Sequence, residues 1–202
     1  MITIYHVAGT RSMRIIWLCA ELDIPLNVET IDFSPEYRSG EEWRSKSPTG
    51  KVPAMEVDGL VMFESGAMVD YILERYGNGR LQPPAGSHDS ALYRQWCWFA
   101  EATLARPLGD MVQHLRLKPE AERIPAMVKD GEVRARTCLA AVDAAVKDTA
   151  YLVANEFTAA DIMMGYSLKL AEGLGVLDDS YPNLNRYFAA LKDRPGYQQA
   201  LD

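Results

Sequence analysis

The chain changes character once, near residue 80, and that break limits what it can fold into. Before it, strand and helix signals alternate. After it, every periodic stretch reads as helix. The residues between, "GNGRLQPPAGSHD" (77–89), are mostly turn and linker types. The expectation is an α/β domain over 1–78, a linker over 79–87, and an all-helical domain over 88–202.

In the first region "ITIYHV" (2–7) and "LNVETI" (26–31) are rich in β-branched residues and read as strands. Between them Ile15, Leu18, Cys19 and Leu22 fall at i, i+3, i+4 and i+7, the apolar stripe of a helix from about Ser12 to Leu22. The stretch "PAMEVDGLVMF" (53–63) is two short apolar runs joined by Asp58-Gly59, a strong hairpin signal. Met68, Tyr71, Ile72 and Tyr76 mark another helix, stopped by Gly77 and Gly79. A polar connection with a short helix at 40–46 completes the order β-α-β, then β-β-α. A strand–helix–strand unit favours a parallel pair with a right-handed crossover, to which the hairpin adds antiparallel strands. One residue resists this reading. Pro53 opens a strand, yet a proline cannot donate to a sheet ladder.

Beyond the linker, Leu92, Trp96, Phe99, Thr103, Leu108, Met111 and Leu115 recur at helical spacings, with Pro107 expected to kink the helix. A second long helix is expected over 121–147. In "EFTAADI" Thr158 stands at an N-cap with Asp161 three residues on, a variant of the capping box. Phe157 and Ile162 sit where a hydrophobic staple lies. Two short helices close the chain.

The charge balance narrows the partners. Lys and Arg number 21 and Asp and Glu 28, a net charge of −7, which argues against nucleic acid or an anionic membrane as the main partner. No apolar run approaches the roughly 18 residues of a membrane span, and no secretory leader is visible, so a cytoplasmic location is expected. Cys19, Cys97 and Cys138 are far apart and read as buried thiols. His6, His88 and His114 share no metal-ligand spacing, so no metal is expected.

Four motifs, in order along the chain, carry a resemblance: "RIIWLCAEL" (14–22), "SPTGKVPAM" (47–55), "ESGAMVDYILERYG" (64–77) and "FTAADI" (157–162). Together they resemble the cytosolic glutathione transferases of bacterial type, whose fold is a thioredoxin-like domain followed by a helical one. The resemblance implies that the Val52–Pro53 bond is cis and that the N–H and C=O of Val52 pair with the cysteinyl backbone of glutathione. It implies that Ser65 and the helix N-terminus hold the γ-glutamyl carboxylate, with Glu64 near the ammonium group. It assigns Lys51 to the glycyl end, with Arg38 or Arg44 as helpers. The ordinary alternatives are a trans edge-strand proline, a plain N-cap at Ser65 and a solvated carboxylate at Glu64.

In this family one hydroxyl or thiol near the start of the first helix contacts the glutathione sulfur. In "VAGTRSMRII" (7–16), aligned on Arg14, Thr10 falls where the serine-type classes keep serine, and Ser12 follows two residues on. Tyr5 falls where the tyrosine-type classes keep their tyrosine. All three stay open, as do helix capping for Thr10 or Ser12 and sheet core for Tyr5. Arg11 stands where the cysteine-type pattern has cysteine, which counts against a thioltransferase. The chemistry asks only for a donor. A hydrogen bond to a thiolate contributes about 1.5–3 kcal/mol, enough to lower a thiol pKa by roughly one to two units.

The resemblance implies a glutathione transferase with glutathione as co-substrate, acting on small hydrophobic electrophiles or peroxides, and a homodimer. The electrophile is expected between the domains. Of Trp96, Trp98 and Phe99, one face is expected in the helical core and another at that site or at a dimer interface. Alternatives are a glutathione-dependent disulfide reductase, isomerase or lyase, and a non-catalytic interaction module. The intact "GKVPAM" and "ES" motifs argue against the last.

Overall fold

Strand β1 (Ile2–His6) is the spine of the first half of the computed structural model, which describes residues 1–201. It pairs in parallel with β2 (Leu26–Thr30) after a crossover through α1 (Met13–Leu22). On its other side it runs antiparallel to β3 (Ala54–Val57), which turns through Asp58 and Gly59 into β4 (Leu60–Phe63). The order is β2-β1-β3-β4. Both turn residues have positive φ, 50° and 80°, as a two-residue hairpin of this twist requires. The polar connection holds two short helices, α2 (Pro35–Ser39) and α3 (Glu41–Lys46), divided at Gly40. Helix α4 (Ser65–Tyr76) follows the hairpin directly.

Successive strand residues point to opposite faces of a sheet. In β1 this sends Tyr5 toward Trp43 of α3, the two rings 5.9 Å apart and edge-on. It sends His6 the other way, toward Ser12 at the foot of α1. Nearly all of α1 is buried, including Arg14.

The second half is helical. Helix α5 (His88–Trp98) continues through a π-helical stretch (Phe99–Leu104) into α6 (Ala105–Val112) and a second π-helical stretch (Gln113–Leu117). The kink expected at Pro107 is thus preceded by a wider turn. Pro107 has no N–H for the carbonyl of Thr103, and that carbonyl accepts instead from the Cys138 thiol at 3.9 Å. Helix α7 (Pro125–Ala145) starts later than its periodicity suggests, behind a short 3-10 turn at Glu120–Glu122. Helix α8 (Ala159–Gly173) opens on the capping box at Thr158, and α9 (Pro182–Lys192) follows. None of Trp96, Trp98 and Phe99 is buried. Trp98 is 69% exposed, and the core side of this helix is made by Tyr93, Ala100 and Leu104.

The chain forms two compact units, residues 82–191 and residues 1–81 joined by the segment that begins at Lys192. The last helix, α10 (Pro195–Gln199), therefore packs in the first unit, against α1. Tyr197 meets Trp17 edge-on at 5.0 Å, and Arg194 grips Glu21. Gly196 allows the approach. A Cβ there would stand 2.7 Å from the Trp17 ring.

Candidate functional site

The turn from β1 into α1 brings together three side chains that chemistry can use. Thr10 Oγ1 and Ser12 Oγ are 2.8 Å apart, and Ser12 Oγ is 2.8 Å from Nδ1 of His6. Thr10 Oγ1 also donates to the carbonyl of Val7 at 2.8 Å, and Ser12 Oγ lies 3.4 Å from the same oxygen. Their exposure differs. Ser12 is wholly buried and His6 is 3% exposed, whereas Thr10 is half-buried. Burial pushes the His6 pKa below its ordinary value, which keeps the ring neutral at pH 7.

Tyr5 is placed elsewhere. Its hydroxyl donates to Glu56 at 3.1 Å, Lys46 stands 4.7 Å over its ring, and its body packs with Trp43 and Ala54. It faces the side of the sheet away from His6 and Ser12.

The loop into β3 supplies backbone. The Val52–Pro53 bond is cis. Among the described residues neither the N–H nor the C=O of Val52 has a hydrogen-bond partner, while its side chain packs beside Tyr5 and Trp43. Ser47 fixes the loop from behind: its hydroxyl donates to the Lys51 carbonyl at 2.8 Å and accepts from the Lys51 N–H at 3.1 Å. The Lys51 side chain is exposed. Arg44 donates to the Pro48 carbonyl at 2.5 Å. Arg38 donates to the Phe33 carbonyl at 3.1 Å and lies 4.4 Å over the Phe33 ring.

The hairpin ends at Glu64, held at φ 74° and ψ 102° immediately before α4. A non-glycine residue in such a conformation costs roughly 1–3 kcal/mol and is kept only where its surroundings demand it. Glu64 is exposed and Ser65 is buried. Beneath Ser65 lies a residue that pattern reading used only as an alignment mark. Arg14, 0% exposed, donates from Nη1 to Ser65 Oγ at 3.0 Å. A guanidinium can only donate, so the hydroxyl proton of Ser65 stays available to a ligand. Arg14 and the helix N-terminus both favour an anion at this point.

The structure thus gathers a half-buried hydroxyl, an unpaired stretch of backbone and a cationic helix start on one sheet unit. Residues 1–74 match the family description "Glutathione S-transferase, N-terminal domain", and residues 99–190 match "Glutathione S-transferase, C-terminal domain". The chain belongs to the glutathione S-transferase family. It is 24% identical over 207 residues to glutathione S-transferase GstB of Escherichia coli K12, covering 100% of this chain and 98% of that one. With glutathione S-transferase 3 of Schizosaccharomyces pombe the identity is 24% over 212 residues, covering 100% and 87%. Among solved structures, the theta class glutathione S-transferase of Xanthomonas axonopodis pv. citri, crystallised with glutathione bound, matches with a TM-score of 0.86 at 26% identity, over 99% and 96% of the two chains.

Among the described residues no group of three or more His, Cys, Asp or Glu side chains is placed to hold a metal ion, and no helix is long and apolar enough to cross a membrane.

Proposed function

We propose that the protein is a glutathione transferase that binds glutathione along the Val52 backbone and activates its thiol through Thr10. The observation that carries this reading is the difference among the three candidate hydroxyls. Ser12 is sealed from solvent and the Tyr5 hydroxyl is engaged by Glu56, so Thr10 alone offers a proton at the surface. Turning that proton from the Val7 carbonyl to a sulfur is cheap, because the Thr10 N–H still donates to the same carbonyl at 3.2 Å.

The remaining groups fit the peptide. The unpaired N–H and C=O of Val52 suit the main chain of the cysteinyl residue, as an added strand suits a sheet edge. Ser65, polarised by Arg14, suits the γ-glutamyl carboxylate, and Glu64 suits its ammonium group. Lys51 is exposed at the end where the glycyl carboxylate would lie. Thr10 then stabilises the thiolate, which attacks a small hydrophobic electrophile and forms a thioether as the leaving group departs.

No cysteine of the sheet unit competes for the chemistry, since Cys19 is its one cysteine. Cys19, on α1, is buried, and desolvation pushes its thiol up to about 12. A transferase reading therefore predicts conjugation of glutathione to an activated aryl halide. It predicts no mixed disulfide between protein and glutathione. Detection of that mixed disulfide by mass spectrometry, with no conjugation, would replace the transferase by a reductase.

A further inference from the structure

His6 is the buried titratable group that the mechanism above does not use, and the short contacts around it fix where its proton sits. The Val7 carbonyl can only accept, so the Thr10 hydroxyl donates its single proton to it across 2.8 Å. Ser12 must then supply the proton in the 2.8 Å Thr10–Ser12 contact. That spends the only proton of Ser12. The remaining 2.8 Å contact, between Ser12 Oγ and His6 Nδ1, requires the proton on nitrogen. Reversing any link leaves two oxygens, or an oxygen and a bare nitrogen, 2.8 Å apart with no hydrogen between them. The longer Ser12–Val7 approach of 3.4 Å offers no better arrangement.

We propose that His6 is a positioning residue for thiol activation: as the Nδ1–H tautomer it sets the direction of the His6–Ser12–Thr10 chain, so that the oxygen of Thr10 is filled and its proton is left for the glutathione sulfur. The proposal rests on the reading of Thr10 as the donor. Bonds in such a chain polarise one another, each strengthening the next by about 10–30%. His6 therefore acts through Ser12 and Thr10 and touches no substrate. The Nε2 atom, buried and without a partner among the described residues, is the bare nitrogen of this tautomer. The low pKa that burial gives the ring is consistent with its neutral form.

Two measurements test this. In the ligand-free protein labelled with nitrogen-15 histidine, long-range proton–nitrogen correlation should show His6 protonated on Nδ1 at pH 7. An Nε2–H pattern would overturn the chain direction outright, whatever the protein's activity. The second measurement compares His6→Asn with His6→Gln. The asparagine amide falls near the position of Nδ1 and keeps a donor for Ser12, while the glutamine amide falls near Nε2 and does not. The pKa of bound glutathione's thiol should stay within about 0.2 unit of the wild type in His6→Asn and rise by roughly half a unit in His6→Gln, with glutathione affinity changed less than about twofold in both. Ser12→Ala, which cuts the middle link, should match His6→Gln. Equal thiol pKa values in wild type, His6→Gln and Ser12→Ala would sink the proposal. A wild type that binds glutathione without lowering its thiol pKa would instead sink the Thr10 reading, and the tautomer result would still decide the direction of the chain. Were both His6 variants to misfold, the wild-type tautomer and Ser12→Ala would carry the decision.

Discussion

Arg14 and Ser65 are 51 positions apart in the sequence, yet the guanidinium of the first meets the hydroxyl of the second at 3.0 Å inside the protein. This bond ties the start of α4 to the helix that directly follows Thr10 and Ser12, and so joins the binding end of the proposed site to its reacting end. Ser65→Ala should separate the two functions. It removes a donor to the carboxylate and takes one hydrogen bond from Arg14. A hydrogen bond to a charged group contributes about 1.5–3 kcal/mol, so glutathione affinity should fall at least tenfold. The thiol pKa of whatever glutathione still binds should not move. Titration calorimetry reads the first quantity and thiolate absorbance the second.

Glu64 carries strain that a glycine would relieve. Its φ of 74° lies where a side chain is disfavoured. Glu64→Gly should leave thermal stability unchanged or raised, because relief of about 1–3 kcal/mol offsets the extra freedom of glycine in the unfolded chain. Glutathione affinity should drop about two- to fivefold, the worth of an exposed charge contact. A variant that loses stability and keeps its affinity would mean that Glu64 serves the fold and not the ligand.

The contact of α10 with α1 should weaken in acid. Burial pushes the Glu21 carboxyl up, but hydrogen bonds from Arg194 and Trp17, with the charges of Arg194 and Arg80, outweigh it and hold the pKa below its ordinary 4.5. A carboxyl depressed in the folded state contributes stability that is present above its unfolded pKa and lost as pH falls through the folded one. The melting temperature should therefore fall on going from pH 5 toward pH 3. Glu21→Gln should be less stable than wild type at pH 7 and show a shallower fall over that interval. Parallel curves for the two proteins would remove Glu21 from the account.

Asp161 is the most heavily used buried carboxylate in the helical unit. It accepts from the Thr158 N–H at 2.8 Å, the Leu152 N–H at 3.1 Å, the Thr158 hydroxyl at 3.1 Å and the Tyr187 hydroxyl at 2.8 Å. Asp161→Ala strands all these donors in the interior, at a cost of about 3 kcal/mol or more. Urea unfolding should show a lower midpoint. A midpoint within error of the wild type would mean that water satisfies the stranded groups.

Much of this was legible in the sequence because it is local. The Asp58-Gly59 hairpin, the stripe of α1 and the Thr158–Asp161 cap each lie within a few residues and need no knowledge of the rest of the chain. What stayed hidden depends on distant partners. Nothing around residue 195 announces that α10 will pack on Trp17, since the signal is only a proline, a glycine and a tyrosine. Of Trp96, Trp98 and Phe99 one face was expected in the helical core, yet Tyr93, Ala100 and Leu104 fill that space. At the site, Thr10, Ser12 and Tyr5 were equally visible as letters. Burial and hydrogen-bond partners distinguish them, and both come from the tertiary fold. His6 was read only against metal ligation. Its bond to Ser12 exists because the β1–α1 turn folds the chain back over six residues.

The measurement closest to the central claim is the thiol pKa of glutathione bound to the wild type, read from thiolate ultraviolet absorbance against pH, with Thr10→Ala beside it. A free thiol ionises near 8.5. The bound thiol should titrate roughly one to two units lower and return most of the way in Thr10→Ala. A lowered pKa that Thr10→Ala leaves untouched, or tight binding with no shift at all, would contradict the account.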